Sequence, residues 1–328
     1  PQKETGLEHL HKLSADHPGK LTLFKADLLD TGSFDEAMAG CELVMHTASP
    51  FLLQGVTDAA EALVRPALEG TRNVLDSVNR TESVKRVVLT SSVVAIYGDA
   101  RESRDVPGGV FTEDQWNTTS SVDHQPYSYS KTVAEQEAWK YQKAQDRWDL
   151  VTIHPGLVLG PSLTSASDSA SLATMKQFAD GTMLTGAPEL TSGIVDVRDV
   201  ADMHLRCMVD PAAKGERFLA VAGEFLSIVE IARTLKRRMG AAARRVPTME
   251  LPDFMVVIGF FSISSCFDVS YYCIKQSLIL DSEIIKYSSN LLHYFFFSNP
   301  HNLAWVIWIP ASKVCPFTSS AVLVCSFL

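Results

Sequence analysis

Tyr127 and Lys131 carry the strongest chemical signal in the sequence, because they are four positions apart in a segment that reads as helical. Residues at this spacing share one helix face, so the lysine ammonium can lie beside the phenol. A nearby positive charge favours the phenolate and lowers the tyrosine pKa from its usual value of about 10. A tyrosine tuned in this way can protonate a carbonyl oxygen while hydride reaches the carbon.

A second hydroxyl group is predicted to lie near this pair. Thr90, Ser91 and Ser92 end a valine-rich segment 35 positions before Tyr127. A serine hydroxyl at the end of a strand can donate a hydrogen bond to the substrate oxygen and orient the carbonyl against the tyrosine. Ser92, Tyr127 and Lys131 therefore form the predicted catalytic set.

Each of these signals has a plain structural alternative. Tyrosine and lysine four positions apart are common on exposed helices, and polar residues such as serine are ordinary in the loops that follow strands. Tyr129 is an offset alternative to Tyr127, although only Tyr127 has the four-residue spacing to Lys131. The chemical interpretation depends on the elements that place these side chains.

Helical and extended patterns alternate from residue 7 to about residue 240. Short apolar strands separated by helices indicate a parallel sheet buried on both faces, so the predicted fold is an α/β, Rossmann-like doubly wound sheet. In such a sheet the ligand crevice lies at the carboxyl ends of the strands, where the candidate residues occur. We predict strands at 21–24, 42–46, 86–90 and 150–154, and helices at 33–39, 58–79 and 127–145.

Charge and cysteine content exclude several classes of function. The chain has 328 residues and a formal net charge of −9, which argues against a nucleic-acid partner because phosphate binding needs a basic surface. Residues 1–4 contain no apolar signal core, so we expect a cytoplasmic protein. The six cysteines lack the spacing of metal ligands, which favours reduced thiols and no metal site. The sequence leaves the oligomeric state open.

Residues 255–328 differ in composition from the rest of the chain. They hold eight of the sixteen phenylalanines and six charged residues. Their apolar runs are shorter than the roughly 20 residues of a membrane-spanning helix, so we do not expect a membrane partner. We interpret this stretch as an atypical hydrophobic tail that does not continue the domain naturally, such as translated non-coding sequence.

Several sequence blocks occur in a fixed order, and together they indicate a protein family more specifically than any single block does. They cover about residues 5–254 and resemble extended short-chain dehydrogenases/reductases of the NAD-dependent epimerase/dehydratase family. The similarity is to plant cinnamoyl-CoA reductases and dihydroflavonol reductases, and to related fungal and bacterial ketone reductases. The blocks lie at 25–29, 32–34, 46–51, 69–75, 84–92, 127–131, 154–161 and 195–201.

The resemblance implies a binding site for the adenine half of a nicotinamide cofactor. Asp27 would accept a hydrogen bond from the adenine amino group, and Leu28 would pack against the ring. Thr47, Ala48 and Ser49 would line the path of the ribose and the phosphates.

The resemblance also implies contacts at the nicotinamide half of the cofactor. Lys131 would bind the ribose hydroxyls beside Tyr127, and Pro155 and Gly156 would hold the carboxamide. Ser92 fits the family's catalytic position better than Ser91. Because the plant relatives use NADPH, we favour NADP over NAD.

The same comparison predicts how the chain divides. Residues 1–160 would form a partial dinucleotide-binding domain. Residues 161–254 would form the substrate-binding part, with a return segment at 193–204 to the Rossmann domain. Residues 255–328, the hydrophobic tail, would lie outside the family domain.

The sequence departs from the family at its beginning. The family starts with a strand, a glycine-rich turn and a helix that hold the pyrophosphate, and residues 1–328 contain no such turn. Without the family's first two strands, the strand near Leu21 would have no neighbour joining it to the strand near Leu43. We therefore expect a fragment, or partial gene product, that binds nicotinamide cofactors poorly.

The predicted function is an NAD(P)H-dependent reductase of aldehydes or ketones, acting on a small-molecule carbonyl substrate. One alternative is a nucleotide-sugar epimerase or dehydratase. Such dehydratases place an acidic pair after the strand-end threonine, where this chain has Ser91-Ser92-Val93. Another alternative is an inactive, truncated relative, which the missing glycine-rich turn would favour.

Overall fold

Helices and strands alternate along the chain in the computed structural model, which describes residues 8–16, 21–48, 58–163, 169–189, 191–251, 303–309 and 321–326. The helices are α1 (Glu8–Asp16), α2 (Asp35–Met38), α3 (Arg65–Arg80), α4 (Pro126–Lys143), α5 (Ala170–Asp180), α6 (Val197–Val209) and α7 (Ile228–Met239). The strands are β1 (Thr22–Asp27), β2 (Leu43–His46), β3 (Arg86–Thr90), β4 (Asp149–Pro155), β5 (Leu157–Leu159), β6 (Thr191–Asp196), β7 (Arg217–Ala220), β8 (Ala222–Ser227), β9 (Leu303–Ile309) and β10 (Ala321–Ser326).

The main sheet joins seven of the described strands in the order β1-β9-β10-β2-β3-β4-β7. Strands β2, β3, β4 and β7 run parallel, and Met45, Val88 and Val151 lie side by side across them. Valine and leucine are the commonest residues in these strands, as expected for strands of a parallel sheet that is covered on both faces. The sheet confirms the predicted α/β class.

Helices cover both faces of this sheet. On one face α3 and α4 bury Val74, Leu75 and Ala138 against Val44 and Val87. On the other face α6 contributes an apolar stripe that contacts the opposite side of β2, β3 and β4; its members include Val200, Cys207 and Met208. Helices on both faces therefore hold the carboxyl ends of β2, β3 and β4 in a fixed arrangement.

The tail is where the structure differs from our expectation. We expected the strand near Leu21 to have no neighbour joining it to the strand near Leu43, but β9 pairs antiparallel with β1, and β10 pairs parallel with β2. Strands β9 and β10 also pair with each other. The reason is backbone chemistry: the open edges of β1 and β2 need hydrogen-bond partners, and these two tail segments are rich in residues with high β-propensity.

A smaller sheet begins directly after β4. Its order is β5-β6-β8, and α5 and α7 pack around it. Phe178, Val229 and Ala232 are buried in its apolar core. The predicted domain boundaries stay a prediction. Among the residues described, no helix combines the length and the apolar character needed to cross a membrane.

The pairing of β10 gives a first prediction. Leu323 lies between Met45 of β2 and Ile307 of β9, so Leu323→Pro removes an N–H from a strand that is paired on both sides. We expect the free energy of unfolding to fall by about 1–3 kcal/mol, measured by urea titration. Leu323→Thr, which keeps the N–H and the β-propensity, is the control. Equal midpoints for the wild type and the proline variant would show that β10 does not pair in solution.

Candidate active site

A cleft opens at the carboxyl ends of β1, β2 and β3, beneath helices α3 and α4. The strand ends supply its floor and the two helices its wall. The sequence-predicted residues Leu28, Ala48 and Lys131 all line this one cleft. Its full lining is Leu28, Ala48, Pro66, Ala67, Gly70, Thr71, Leu89, Thr90, Ser91, Lys131, Ala134 and Glu135.

Tyr127 and Lys131 lie on the first turns of α4, which begins at Pro126. Proline suits the first turn of a helix because its ring fixes φ and its missing N–H would have no partner there. The Lys131 Nζ atom lies 5.9 Å from the centroid of the Tyr127 ring. Burial lowers the pKa of Lys131 to about 8, so its charge is sensitive to moderately alkaline pH.

The two strand-end serines have different partners. The Ser91 hydroxyl donates to Glu135 Oε2 at 2.6 Å and is buried. The Ser92 hydroxyl accepts a long hydrogen bond, 3.4 Å, from the N–H of Val94 and caps the short turn Val93–Ala95. Since Ser91 is committed to Glu135, Ser92 is the partly exposed hydroxyl next to the cleft.

The residues at the end of β1, which the sequence resemblance assigns to adenine binding, are fixed by local hydrogen bonds. Asp27 Oδ1 accepts from the N–H of Leu29 at 2.8 Å, and the Ser33 hydroxyl bonds the backbone of Asp27. Leu28 is 1% exposed and contacts α3, where a Cβ placed on Gly70 would lie 3.2 Å from the Leu28 Cβ. Asn73 Nδ2 donates to the carbonyl of Leu28 at 2.7 Å, which holds this turn against α3.

Thr47 and Ala48 follow β2 directly, and Ala48 is buried in the cleft wall. Ser49 lies outside the described residues. His46, the last residue of β2, is buried beside them. Burial, with a smaller contribution from the charge of Lys131, lowers the pKa of His46 to about 3. A neutral imidazole therefore lies beneath the lysine and adds no positive charge to it.

Pro155 and Gly156 mark the junction between the two sheets. Pro155 ends β4, and the N–H of Gly156 donates to the carbonyl of Ala220 at 3.1 Å. A side chain on Gly156 would collide with the backbone carbonyl of Gly193 in β6. Only glycine allows the backbone at residue 156 to approach β6 so closely at the junction between the two sheets.

Sequence reasoning missed the buried carboxylate of Glu135, which is 1% exposed. His154 Nε2 donates to its Oε2 at 2.7 Å, and Arg217 Nε donates to its Oε1 at 2.8 Å. Burial opposes ionisation of Glu135, but His154 and Arg217 outweigh it and lower the pKa of Glu135 to about 2. The sequence contains one indication of its position: Glu135 lies four residues after Lys131, which places both residues on the same helix face.

Thr90 and His204 form a second buried contact that the sequence did not indicate. His204 Nδ1 donates to the carbonyl of Val200 at 2.8 Å, so its Nε2 accepts from the Thr90 hydroxyl at 2.6 Å. Burial lowers the pKa of His204 to about 4, which keeps the ring neutral and able to accept. This bond fixes the end of β3 to α6. In the described part of the chain, no cluster of three or more His, Cys, Asp or Glu side chains could hold a metal ion.

Comparison with known families gives one broad match. The sequence model described as "NAD dependent epimerase/dehydratase family" matches residues 3–221. Cinnamoyl-CoA reductase CAD2 of Medicago truncatula is 35% identical over 260 residues, which cover 77% of this chain and 73% of that protein. Tetraketide alpha-pyrone reductase 1 of Arabidopsis thaliana is 38% identical over 248 residues, covering 73% and 71%.

Solved structures show the same relationship. Gre2 of Candida albicans in complex with NADPH is 28% identical, with a TM-score of 0.58 over 68% of this chain and 70% of that chain. Yeast methylglyoxal/isovaleraldehyde reductase Gre2 complexed with NADPH has a TM-score of 0.62 over 76% and 77%. At 23% identity, this second likeness concerns the fold alone.

The close approach at Gly156 gives a prediction for the site. Gly156→Ala would force the new methyl group into the Gly193 carbonyl, and we expect it to lower the free energy of unfolding by about 1–3 kcal/mol in urea titration. Gly40→Ala is a useful comparison, because a Cβ there meets nothing within 4 Å and only its positive φ opposes the change. A Gly156→Ala protein as stable as the wild type would contradict the packing at this corner.

Proposed function

This chain belongs to the NAD-dependent epimerase/dehydratase family of extended short-chain dehydrogenases/reductases, whose relatives named above are reductases, and from that premise we propose that it reduces aldehydes or ketones with NADPH. The observation that carries the proposal is the placement of the Lys131 ammonium 5.9 Å from the Tyr127 ring, beside the cleft. We propose Tyr127 as the acid, Lys131 as its electrostatic partner and Ser92 as the residue that orients the carbonyl.

The residues at two ends of the cleft suit a dinucleotide. Asp27 presents a carboxylate whose Oδ1 is already held by the backbone, which fixes the group for a further bond to an amino donor. At the other end Lys131 supplies a cation for ribose hydroxyls. Pro155 and Gly156 lie at the end of β4, where we place the carboxamide. The nicotinamide would supply hydride. NADPH in the Gre2 complex from Candida albicans supports NADP over NAD.

The chemistry assigned to this chain is one proton transfer. The Ser92 hydroxyl would hold the substrate oxygen, and the Tyr127 phenol would give its proton to that oxygen as the carbonyl carbon accepts hydride. The positive charge of Lys131 would stabilise the phenolate that remains. Each group acts on a single atom, the carbonyl oxygen, which becomes the alcohol oxygen of the product.

The surroundings of Ser92 favour an apolar substrate. The residues after it form a cluster with Ile96 and Phe111 buried at its centre. Tyr97 stacks on Phe111 with ring centroids 4.9 Å apart. Partly buried apolar side chains of this cluster, such as Val94 and Phe225, remain available to contact a ligand. An aliphatic or aromatic aldehyde or ketone fits this wall better than a sugar.

Removing the acid tests the mechanism in a protein whose N-terminus is extended by the family's first strand and glycine-rich turn, and the other kinetic and NADPH-binding tests below use the same extended protein. In Tyr127→Phe we expect the rate of NADPH-dependent reduction of an aromatic aldehyde to fall by about 10²–10⁴-fold, because the ring stays in place and only the transferable proton is lost. NADPH affinity, measured by calorimetry, should stay close to that of the wild type. Tyr129→Phe, two residues away on the same helix and without the four-residue spacing to Lys131, is the matched control. Near-full activity of Tyr127→Phe would remove Tyr127 from the role of acid.

The pKa of Lys131 predicts how the reaction depends on pH. Below its pKa of about 8 the lysine is charged, and above that pH it loses its charge. We therefore expect NADPH affinity and the reduction rate to decline as pH rises through about 8, measured in a pH series.

Lys131→Arg is the control for this pH dependence, because a guanidinium stays charged over the whole series. Where this variant retains measurable binding, the decline in affinity near pH 8 should be absent. A pH profile that is the same in the wild type and in Lys131→Arg would show that another group causes the decline.

A further inference from the structure

The three proposed catalytic residues come from two separate elements, and their spacing depends on what joins those elements. Tyr127 and Lys131 lie on α4, whereas Ser92 follows β3. Proton transfer to a carbonyl oxygen requires the hydroxyls of Ser92 and Tyr127 to meet the same atom, so a shift of α4 against the end of β3 would disrupt the site.

Glu135 lies on α4 one helical turn after Lys131 and two turns after Tyr127. Its buried carboxylate accepts the Ser91 hydroxyl at 2.6 Å, which fixes the residue immediately before Ser92 to α4. It also accepts from the Thr152 hydroxyl at 3.2 Å, so β4 is held to the same group.

A second path from Glu135 runs through Arg217. The Arg217 Nη1 atom donates to the carbonyls of Glu113 and Gln115, each at 2.6 Å. The guanidinium also lies 3.9 Å from the centroid of the Trp116 ring, a cation–π contact. Arg217 thereby fixes the segment 113–117 to the carboxylate on α4.

This segment returns to the residues just after Ser92. Asn117 donates from its N–H to the carbonyl of Ala95 at 3.0 Å and from its side chain to the carbonyl of Val94 at 2.7 Å. Ser92 is therefore held on both sides in sequence: through Ser91 directly, and through Val94 and Ala95 by way of Asn117.

We propose that Glu135 is a positioning residue that sets Ser92 against Tyr127 and Lys131 through these two converging paths. The proposal deepens the proposed function and rests on it, since it explains how that catalytic set is assembled. An ionised carboxylate suits this task because it accepts several hydrogen bonds at once and donates none. The partners Ser91, His154 and Arg217 all donate to it.

Arg217→Gln is the most direct test, because it cuts the path to segment 113–117 and leaves Glu135 paired with His154 and Ser91. Arg147→Gln is the matched control: Arg147 also holds a loop through backbone carbonyls, those of Val78, Asn79, Thr81 and Val84, in a different part of the structure. Hydrogen–deuterium exchange of the full-length chain is measured for peptides that cover 93–97 and 113–117. Arg217→Gln should raise exchange in both peptides by about tenfold or more, and Arg147→Gln in neither.

Steady-state kinetics with NADPH and an aromatic aldehyde give the second readout. We expect Arg217→Gln to lower kcat by about 10- to 100-fold with little change in NADPH affinity, because the cofactor contacts stay in place while Ser92 shifts. Arg217→Lys keeps the charge but has fewer hydrogen-bond donors, so its kcat should fall between those of the wild type and Arg217→Gln. Ser91→Ala should lower kcat in the same manner through the other path.

Two results would overturn the proposal. One is unchanged exchange at 93–97 in Arg217→Gln, which would show that the path through Asn117 does not hold the end of β3. The other is an equal loss of kcat in Arg147→Gln, which would trace the effect to general stability. The exchange measurement needs no turnover, so it stays decisive even where Tyr127→Phe shows that the proposed reaction is wrong.

Discussion

The ionised carboxylate of Glu135 is the interaction on which the candidate site depends. A charge in the interior is tolerated only when it is paired and hydrogen-bonded, and Glu135 receives donors from β3, β4, β7 and its own helix. Each donor can reach the Glu135 carboxylate only if the strand that carries it, or that precedes it, is correctly placed against α4. The electrostatic requirement of one side chain therefore fixes several elements at once, including the helix that carries Tyr127 and Lys131.

Two histidines near the strand ends of the cleft are neutral, so they do not add positive charge beside Lys131. The pKa values of His46 and His204 are lowered to about 3 and about 4 by burial, so both imidazoles are neutral beside the strand ends. His154 differs, since Nε2 faces Glu135 and Nδ1 faces the carbonyl of Phe218. These two contacts hold the His154 ring between α4 and β7. The anion Glu135 is thus paired within the core, and Lys131 is the cation that lines the cleft.

The sequence predicted the parts of the site that depend on local spacing. Tyr127 and Lys131 share a helix face because they are four residues apart, and Ala48 lines the cleft because it follows β2. Ser92 follows the cleft-lining Ser91 at the end of β3. Arg217 could not be predicted in the same way, since 82 positions separate it from Glu135 and no short pattern joins the two. Partners so distant in sequence become visible only once the strand order is known.

The main sheet shows a related limit of local reasoning. The composition of the tail differs from that of the rest of the chain, yet β9 and β10 join β1 to β2 through backbone pairing. Backbone groups at a strand edge require partners whatever side chains accompany them, and a segment with high β-propensity can supply them. Composition shows only that a segment differs from its surroundings. Strand pairing depends instead on the backbone N–H and C=O groups that the other strands of the sheet leave without partners. For this reason β2, β3 and β4 pair in parallel with one another, whereas β9 and β10 occupy the open position between β1 and β2.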